Sequence, residues 1–217
     1  MMEITINKNK KLSQHLASPS EAALSQTNEL DGFRLSPHFT LGELTKTSYY
    51  TLDGNIPSHV AIENLTRLCL WLELLRERYN RLYGDATREG SSCVPSVASG
   101  KAERPCNSVA ALPAHRGDSP CVSQEIPVII TSGYRSEEVN RLCGGAKGSN
   151  HLTGCAVDIR CAGPEQMIRY ACILLDTADE NNWELDELIQ EKRGTTYWVH
   201  FAVRPKDNRR KILFDCR

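Results

Sequence analysis

A single long stripe of apolar residues between positions 58 and 83 constrains the fold of this chain more than any other feature. The residues of the stripe recur at steps of three and four, which is the period of one buried face of an α-helix. They are Ile62, Leu65, Leu68, Cys69, Leu72, Leu75, Tyr79 and Leu82. Trp71 and Leu74 widen the stripe, and Ser58 stands where a helix N-cap is expected. A helix this long and one-sided needs a broad apolar surface, so we expect it to pack against a β-sheet.

Shorter strand-like and helix-like segments follow in the second half of the chain. The continuous apolar run at 126–131 predicts a buried strand. Beyond it we expect a short helix after Ser136, a strand at 155–160, a helix starting at Gly163-Pro164, and two strands at 188–190 and 198–203 with a turn at 192–194. These elements predict an α+β fold: a small, mainly antiparallel sheet with helices on one face and a cleft on the other.

Two segments show neither the helical nor the strand period. Residues 1–34 are mostly polar and are expected to form a mobile N-terminal tail. Residues 84–125 are dominated by Gly, Ser, Pro and Ala with scattered Cys, and they predict a disordered insertion. The remainder, 35–217, is expected to form a single domain interrupted by that insertion.

Charge and hydropathy exclude several classes of partner. The net charge is −1, from 26 basic and 27 acidic residues, so no basic field indicates nucleic-acid binding. The Lys/Arg cluster at 204–211 is interpreted as solvated surface. No window contains the roughly 18 apolar residues of a membrane span, and the N-terminus lacks the apolar stretch of a secretory signal. The expected oligomeric state is the default one, a monomer.

Two polar residues interrupt the apolar pattern of predicted strands. Asp158 alternates with Val157 and Ile159, and His200 alternates with apolar neighbours in the last strand. Since successive side chains of a strand point to opposite faces, both polar residues leave the apolar face at the centre of their strands. A cleft over the far face of the sheet could therefore hold them together.

Together with His151, these residues make up the three-ligand set of a catalytic zinc site. A structural zinc normally takes four protein ligands, whereas a hydrolytic site keeps one position for water. Each residue also has a simpler interpretation: a hydrogen-bonded structural histidine, or an aspartate paired with Arg135 or Arg160. The spacing of the nearby cysteines fits no four-ligand site.

Four motifs in order carry a resemblance to a known family. They are Ser-Gly-Tyr-Arg-Ser at 132–136, Gly-Gly-Ala at 144–146, Ser-x-His-x-x-Gly-x-Ala-x-Asp at 149–158, and Trp-Val-His at 198–200. With these motifs the chain resembles the M15 family of zinc D-Ala-D-Ala peptidases, especially its peptidoglycan-cleaving carboxypeptidase and phage-type branch. The resemblance spans about residues 36–80 and 125–213.

The resemblance implies a role for several residues. It implies that His151, Asp158 and His200 bind one Zn²⁺ per chain. Arg135 matches the family arginine that meets substrate carbonyl or carboxylate oxygens, although a structural pairing with an aspartate is the alternative. Ser149 matches a polar residue that lines the substrate pocket, and the alternative is a plain turn serine.

The resemblance offers more than one acidic residue as the general base. Many relatives carry an acidic residue three positions before the last histidine, and here Tyr197 stands there. In the branch that the chain most resembles, a Leu-Ile-x-Glu pattern supplies the acid, which makes Glu191 the expected base. Asp186 and Glu187 are the other candidates, and Glu191 could instead be a solvated turn residue.

The resemblance implies zinc-dependent hydrolysis of the peptidoglycan stem peptide next to D-Ala, as a carboxypeptidase or an endopeptidase. The alternative is a non-catalytic zinc-fold module that binds peptidoglycan or a protein partner, which Tyr197 favours. A lytic enzyme of a phage or prophage that is made in the cytoplasm and released through a separate pore would fit the expected absence of a signal peptide. A bacterial source fits equally well.

Overall fold

The computed structural model describes residues 32–84 and 125–216. Its helices are α1 (Leu41–Thr45), α2 (His59–Tyr83), α3 (Glu137–Leu142) and α4 (Pro164–Asn181), with a 3₁₀ turn at Asn150–Thr153. Its strands are β1 (Ile130–Ser132), β2 (Ala156–Cys161), β3 (Glu187–Arg193), β4 (Thr196–Ala202) and β5 (Lys211–Cys216). The predicted N-terminal tail lies outside the described residues up to position 31, as does the predicted insertion from 85 to 124.

The strands form one five-stranded sheet in the order β1-β2-β4-β3-β5. Every neighbouring pair is antiparallel except β3 and β5, which run parallel. The predicted α+β class with a mainly antiparallel sheet is therefore confirmed. The central strand is β4, which lies between β2 and β3.

The long amphipathic helix packs as its apolar stripe predicts. The Ser58 side chain accepts a hydrogen bond from the Ala61 N–H and caps α2 at its first turn. The Trp71 ring of α2 lies 5.2 Å from the Phe201 ring of β4, and α4 packs beside α2 over the same strands. The core therefore lies between α2 and α4 and one face of the sheet.

None of the helices in the described ranges is long and apolar enough to cross a membrane.

The strand predicted at 126–131 is wrong in its bounds, because only Ile130–Ser132 pairs as β1. Pro127 has no N–H to donate to a neighbouring strand. Instead, the backbone of Ile126 is bound at both its N–H and its carbonyl by the Asn80 side chain of α2. The apolar run thus begins as an extended segment fixed to the end of the helix and joins the sheet only at its end.

The prediction that the sheet ends with the strand at 198–203 is also wrong, since β5 follows at Lys211–Cys216. The predicted strand at 188–190 is longer than expected, at Glu187–Arg193, and the turn falls at 194–195. The connection to β5 turns through Asp207 and Arg210, both with positive φ. Because neither is a glycine, the turn carried no strong signal in the sequence.

Candidate metal centre

The centre of the sheet brings two of the predicted ligands together. Asp158 of β2 and His200 of β4 are directly opposite each other in the antiparallel register. Their strand neighbours Val157, Val199 and Phe201 are fully buried in the core against the helices. By alternation, Asp158 and His200 point to the other face of the sheet.

His151 reaches the same place from the 3₁₀ turn that precedes β2. The Ser149 side chain accepts a hydrogen bond from the His151 N–H, and Gly154 ends the turn with a φ of 70°. A Cβ atom at Gly154 would lie 2.5 Å from the Ala61 carbonyl oxygen of α2. Glycine is therefore required here both for its backbone conformation and for the close approach to the helix.

The three side chains converge closely. His151 Nε2 lies 3.3 Å from Asp158 Oδ1 and 3.2 Å from His200 Nδ1, and His200 Nδ1 lies 2.9 Å from the same Asp158 oxygen. All three residues are buried, and one ligand atom from each lies within 4.8 Å of the others. One ion could contact all three atoms at once.

The electrostatics of the cluster follow from its burial. Burial opposes ionisation of Asp158, but the neighbouring His151 and His200 outweigh it and hold the pKa of its carboxyl well below the ordinary value. Burial likewise opposes a charge on His200, yet its contacts with Asp158 and Glu187 raise its pKa to about 9. The two carboxylates thus favour a positive charge on His200.

The donor set suits a zinc ion. His151 Nδ1 lies 2.6 Å from the Gly133 carbonyl oxygen, so it carries the proton and leaves Nε2 with its lone pair. Two imidazole nitrogens and one carboxylate oxygen are ligands that zinc takes in hydrolytic sites with an open position. The residues present therefore fit the metal that the sequence predicts.

Arg135 lies beside the cluster, two residues before α3. Its Nε donates to the Ser132 hydroxyl at 2.7 Å, and its Nη2 donates to Asp158 Oδ2. Arg135 thus contacts one of the predicted metal ligands. Arg135 also lines the cleft over the cluster, so the pairing does not remove it from the site.

A cleft of about 620 Å³ opens above the three predicted ligands. Ser149 and the loop at 143–148 form one part of its wall. Alternate residues of β3 and β4 form another part: Glu187, Ile189, Glu191 and Trp198. Burial raises the pKa of the Glu191 carboxyl, and the charge of Asp158 raises it further. A carboxylate with a raised pKa in a cleft beside a metal-ligand cluster is a candidate for acid–base chemistry.

The other acidic candidates are engaged elsewhere. The Asp186 side chain is fully buried and accepts two hydrogen bonds from the Arg209 guanidinium. Glu187 lines the cleft, but its Oε2 lies 3.4 Å from His200 Nε2, and this contact, with others, lowers its pKa to about 2. The pKa values of these two carboxyls are lowered, whereas the pKa of the Glu191 carboxyl is raised.

Tyr197 lies on the opposite face of β4 from His200. It is half-buried at the edge of the helical core, and its ring lies 5.7 Å from the Lys192 ammonium. In a regular strand, a residue three positions before His200 faces away from it. A carboxylate at this position would therefore not face the cleft in this fold.

Sequence reasoning missed three residues that surround the cluster: Asn150, Arg209 and Lys211. Asn150 is the middle residue of the Ser-x-His motif, and only its position next to His151 indicated that it lies near the cluster. Arg209 and Lys211 belong to the basic run interpreted as solvated surface. Instead, Arg209 contacts the buried Asp186 just before β3, and Lys211 contacts the partly buried Glu187 at its start.

A family model described as Peptidase M15 matches residues 104–195. The match contains His151, Asp158 and Glu191 and ends before His200. No curated protein matches the chain. The chain is thus similar to M15 peptidases over residues 104–195, and its His-Asp-His group could hold a metal ion.

Proposed function

We propose that this chain, with its match to M15 peptidases, is a zinc peptidase that cleaves the stem peptide of bacterial peptidoglycan next to D-Ala. The observation that carries the proposal is the convergence of His151, Asp158 and His200 beneath an open cleft that also contains Glu191. The choice of a cell-wall substrate, as carboxypeptidase or endopeptidase, rests on the four sequence motifs.

The metal would be held by His151 Nε2, His200 Nδ1 and an Asp158 carboxylate oxygen, one ion per chain. A bound zinc ion supplies a Lewis acid that polarises a carbonyl and lowers the pKa of water to about 7. The buried surroundings of the three residues strengthen this electrostatic effect, because little water screens it.

Glu191 is the proposed general base. It lies on the cleft face of β3, beside Trp198 in the register and two residues from Ile189, which is opposite His200. The pKa of the Glu191 carboxyl is raised and so lies closer to neutral pH than the ordinary value. A carboxyl with such a pKa can both take a proton and return it. In the proposed reaction Glu191 takes a proton from the attacking water and delivers it to the leaving amine.

Arg135 and Ser149 are the proposed substrate-binding residues. The bond to Ser132 fixes the Arg135 guanidinium at the edge of the cleft. A fixed, always charged group can stabilise negative charge that develops on the carbonyl oxygen of the scissile bond. Ser149 also lines the cleft, where its hydroxyl can bond the peptide backbone of the substrate.

The alternative is a non-catalytic module that binds peptidoglycan or a partner protein. Tyr197, at the position where many relatives carry an acid, is the residue that favours it. The position of Tyr197 on the helix-facing side of β4 weakens this argument, since the cleft obtains its carboxylate from β3.

The test measures the zinc content of the purified protein and its digestion of bacterial cell walls before and after chelation. We expect one zinc per chain, with digestion lost on chelation and restored by added zinc. Zinc without digestion would favour the binding module. A protein that takes up no zinc would show that the three residues do not act as a ligand set.

A further inference from the structure

A polar network lies on the side of His200 that faces away from the other two predicted ligands. Glu187, the first residue of β3, places Oε2 3.4 Å from His200 Nε2. The other ring nitrogen, Nδ1, is the one that faces Asp158 and His151. One imidazole is thus contacted by a ligand cluster at one nitrogen and by a carboxylate at the other.

We propose that Glu187 is a positioning residue that fixes the orientation and the tautomer of His200 for zinc binding. A carboxylate at Nε2 keeps the proton on that nitrogen, which leaves the Nδ1 lone pair directed toward the metal. The same contact makes the imidazole a more basic ligand. The inference rests on the proposed function only to the extent that the site binds zinc.

Glu187 is itself held firmly, which a positioning residue requires. The Asn150 amide donates to Oε2 at 3.0 Å, while the Lys211 ammonium and the Arg209 guanidinium contact Oε1 at 3.2 Å and 3.1 Å. Only 13% of the Glu187 side chain is exposed. With these three contacts in addition to the one with His200, the carboxylate has little freedom to rotate away from the ring.

The network also connects the two halves of the site. The Asn150 amide that bonds Glu187 donates to Asp186 Oδ2 at 2.8 Å as well. Asp186 in turn accepts hydrogen bonds from the Arg209 backbone N–H and side chain. Since Asn150 directly precedes His151, one set of hydrogen bonds ties the turn that carries the first histidine to the strand beside the second.

Glu187 and Glu191 therefore have different tasks although both line the cleft from β3. The two positive side chains on Oε1 and the imidazole on Oε2 keep the Glu187 carboxylate occupied. Glu191 lies further along the same face, near Trp198. Its removal should affect the reaction and not the affinity for the metal.

The experiment measures the zinc dissociation constant by competition with a chromogenic chelator. We expect Glu187→Ala to weaken zinc binding by about 10- to 100-fold, as removal of an outer partner of a histidine ligand does. Glu187→Gln should recover part of the loss, because its amide oxygen can still accept from His200 Nε2. The matched control is Glu191→Ala, on the same strand and face, which should bind zinc like the wild type.

Unchanged zinc affinity in Glu187→Ala would overturn the inference and leave the proposed function intact. An equal loss in Glu191→Ala would also overturn it, because the effect would then be one of general charge. If the wild type binds zinc but does not digest cell walls, the proposed function is rejected. The zinc affinities of the Glu187 variants would still decide the role of Glu187. If Glu187→Ala fails to fold, Glu187→Asp takes its place, because it keeps the charge but moves the carboxylate away from His200. A zinc affinity of Glu187→Asp equal to that of the wild type would contradict the inference.

A second readout separates positioning from a merely structural role. In the zinc-loaded wild type, the His200 Nε2 proton should exchange slowly with water and give a resolved downfield NMR signal. Glu187→Ala should lose this signal and Glu187→Gln should retain it. A signal that persists unchanged in Glu187→Ala would show that another group holds the proton.

Discussion

The two faces of strands β2, β4 and β3 differ although they are made of alternate residues of the same strands. One face presents Val157, Val199, Phe201 and Leu188, all fully buried against the helices. The other presents Asp158, His200, Glu187 and Glu191 to a cleft. Because neighbouring residues point to different faces, a substitution on the core face should lower stability. A substitution on the cleft face should instead affect metal binding or the reaction. Each of the following predictions tests this separation.

The largest effect is expected at the metal ligands. Asp158→Ala removes one ligand oxygen and the partner of both histidines, so zinc content and wall digestion should both fall to the level of the chelated wild type. Zinc analysis and a digestion assay measure the two losses together. Retained stoichiometric zinc would contradict the assignment of Asp158 as a ligand.

The next effect separates chemistry from metal binding on the cleft face. Glu191→Gln keeps the size of the side chain but removes its basicity, so the digestion rate should fall by about 10²- to 10⁴-fold. Zinc content should stay at one per chain, because Glu191 lies outside the ligand cluster. If the variant digests walls at the wild-type rate, the base is another group.

Leu188 and Ile189 allow a direct comparison of the two faces at adjacent positions. Leu188→Ala should lower the free energy of unfolding by about 2–5 kcal/mol, since this side chain is fully buried in the core. Ile189→Ala should cost less, because Ile189 is only half-buried on the cleft face. Urea denaturation of the zinc-free proteins measures both values. Equal losses would show that the cleft face also supports the fold.

The smallest effect is a pH dependence that arises from His200. Its pKa of about 9 lies above the ordinary 6.5, so its contacts stabilise the zinc-free fold fully below pH 6.5 and lose this contribution as pH rises through 9. Zinc needs the neutral ring, so binding should release a proton and tighten by up to tenfold per pH unit over this range. Calorimetry in two buffers of different ionisation enthalpy measures the released proton. No proton release at pH 7.5 would contradict the raised pKa.

The sequence predicts the elements whose periodicity is long and regular. The stripe of α2 and the alternation around Asp158 and His200 lead to the helix–sheet contact and to the face that carries the cluster. The short helix α1 has no such length. It is fixed by the reciprocal hydrogen bonds of Thr40 and Glu43, and its five residues show no period.

Long-range pairings escape sequence reasoning for a different reason. The basic run at 204–211 has the composition of solvated surface, and only the fold reveals that Arg209 meets the buried Asp186 and that Lys211 meets Glu187. The same holds for Glu187, which is held by Asn150 and Lys211 from distant parts of the chain. Ion pairs of this kind have no local pattern.

The parallel pairing of β3 with β5 has a consequence for the order of folding. Two of the residues that fix Glu187, Arg209 and Lys211, come from β5 and the turn before it, whereas the third, Asn150, lies beside His151 well upstream in the chain. Contacts between distant segments must overcome a large loop-closure entropy and form slowly. We therefore expect the helix α2 and the β3–β4 hairpin to assemble first. The capacity to retain zinc should appear last, as the closing event of folding.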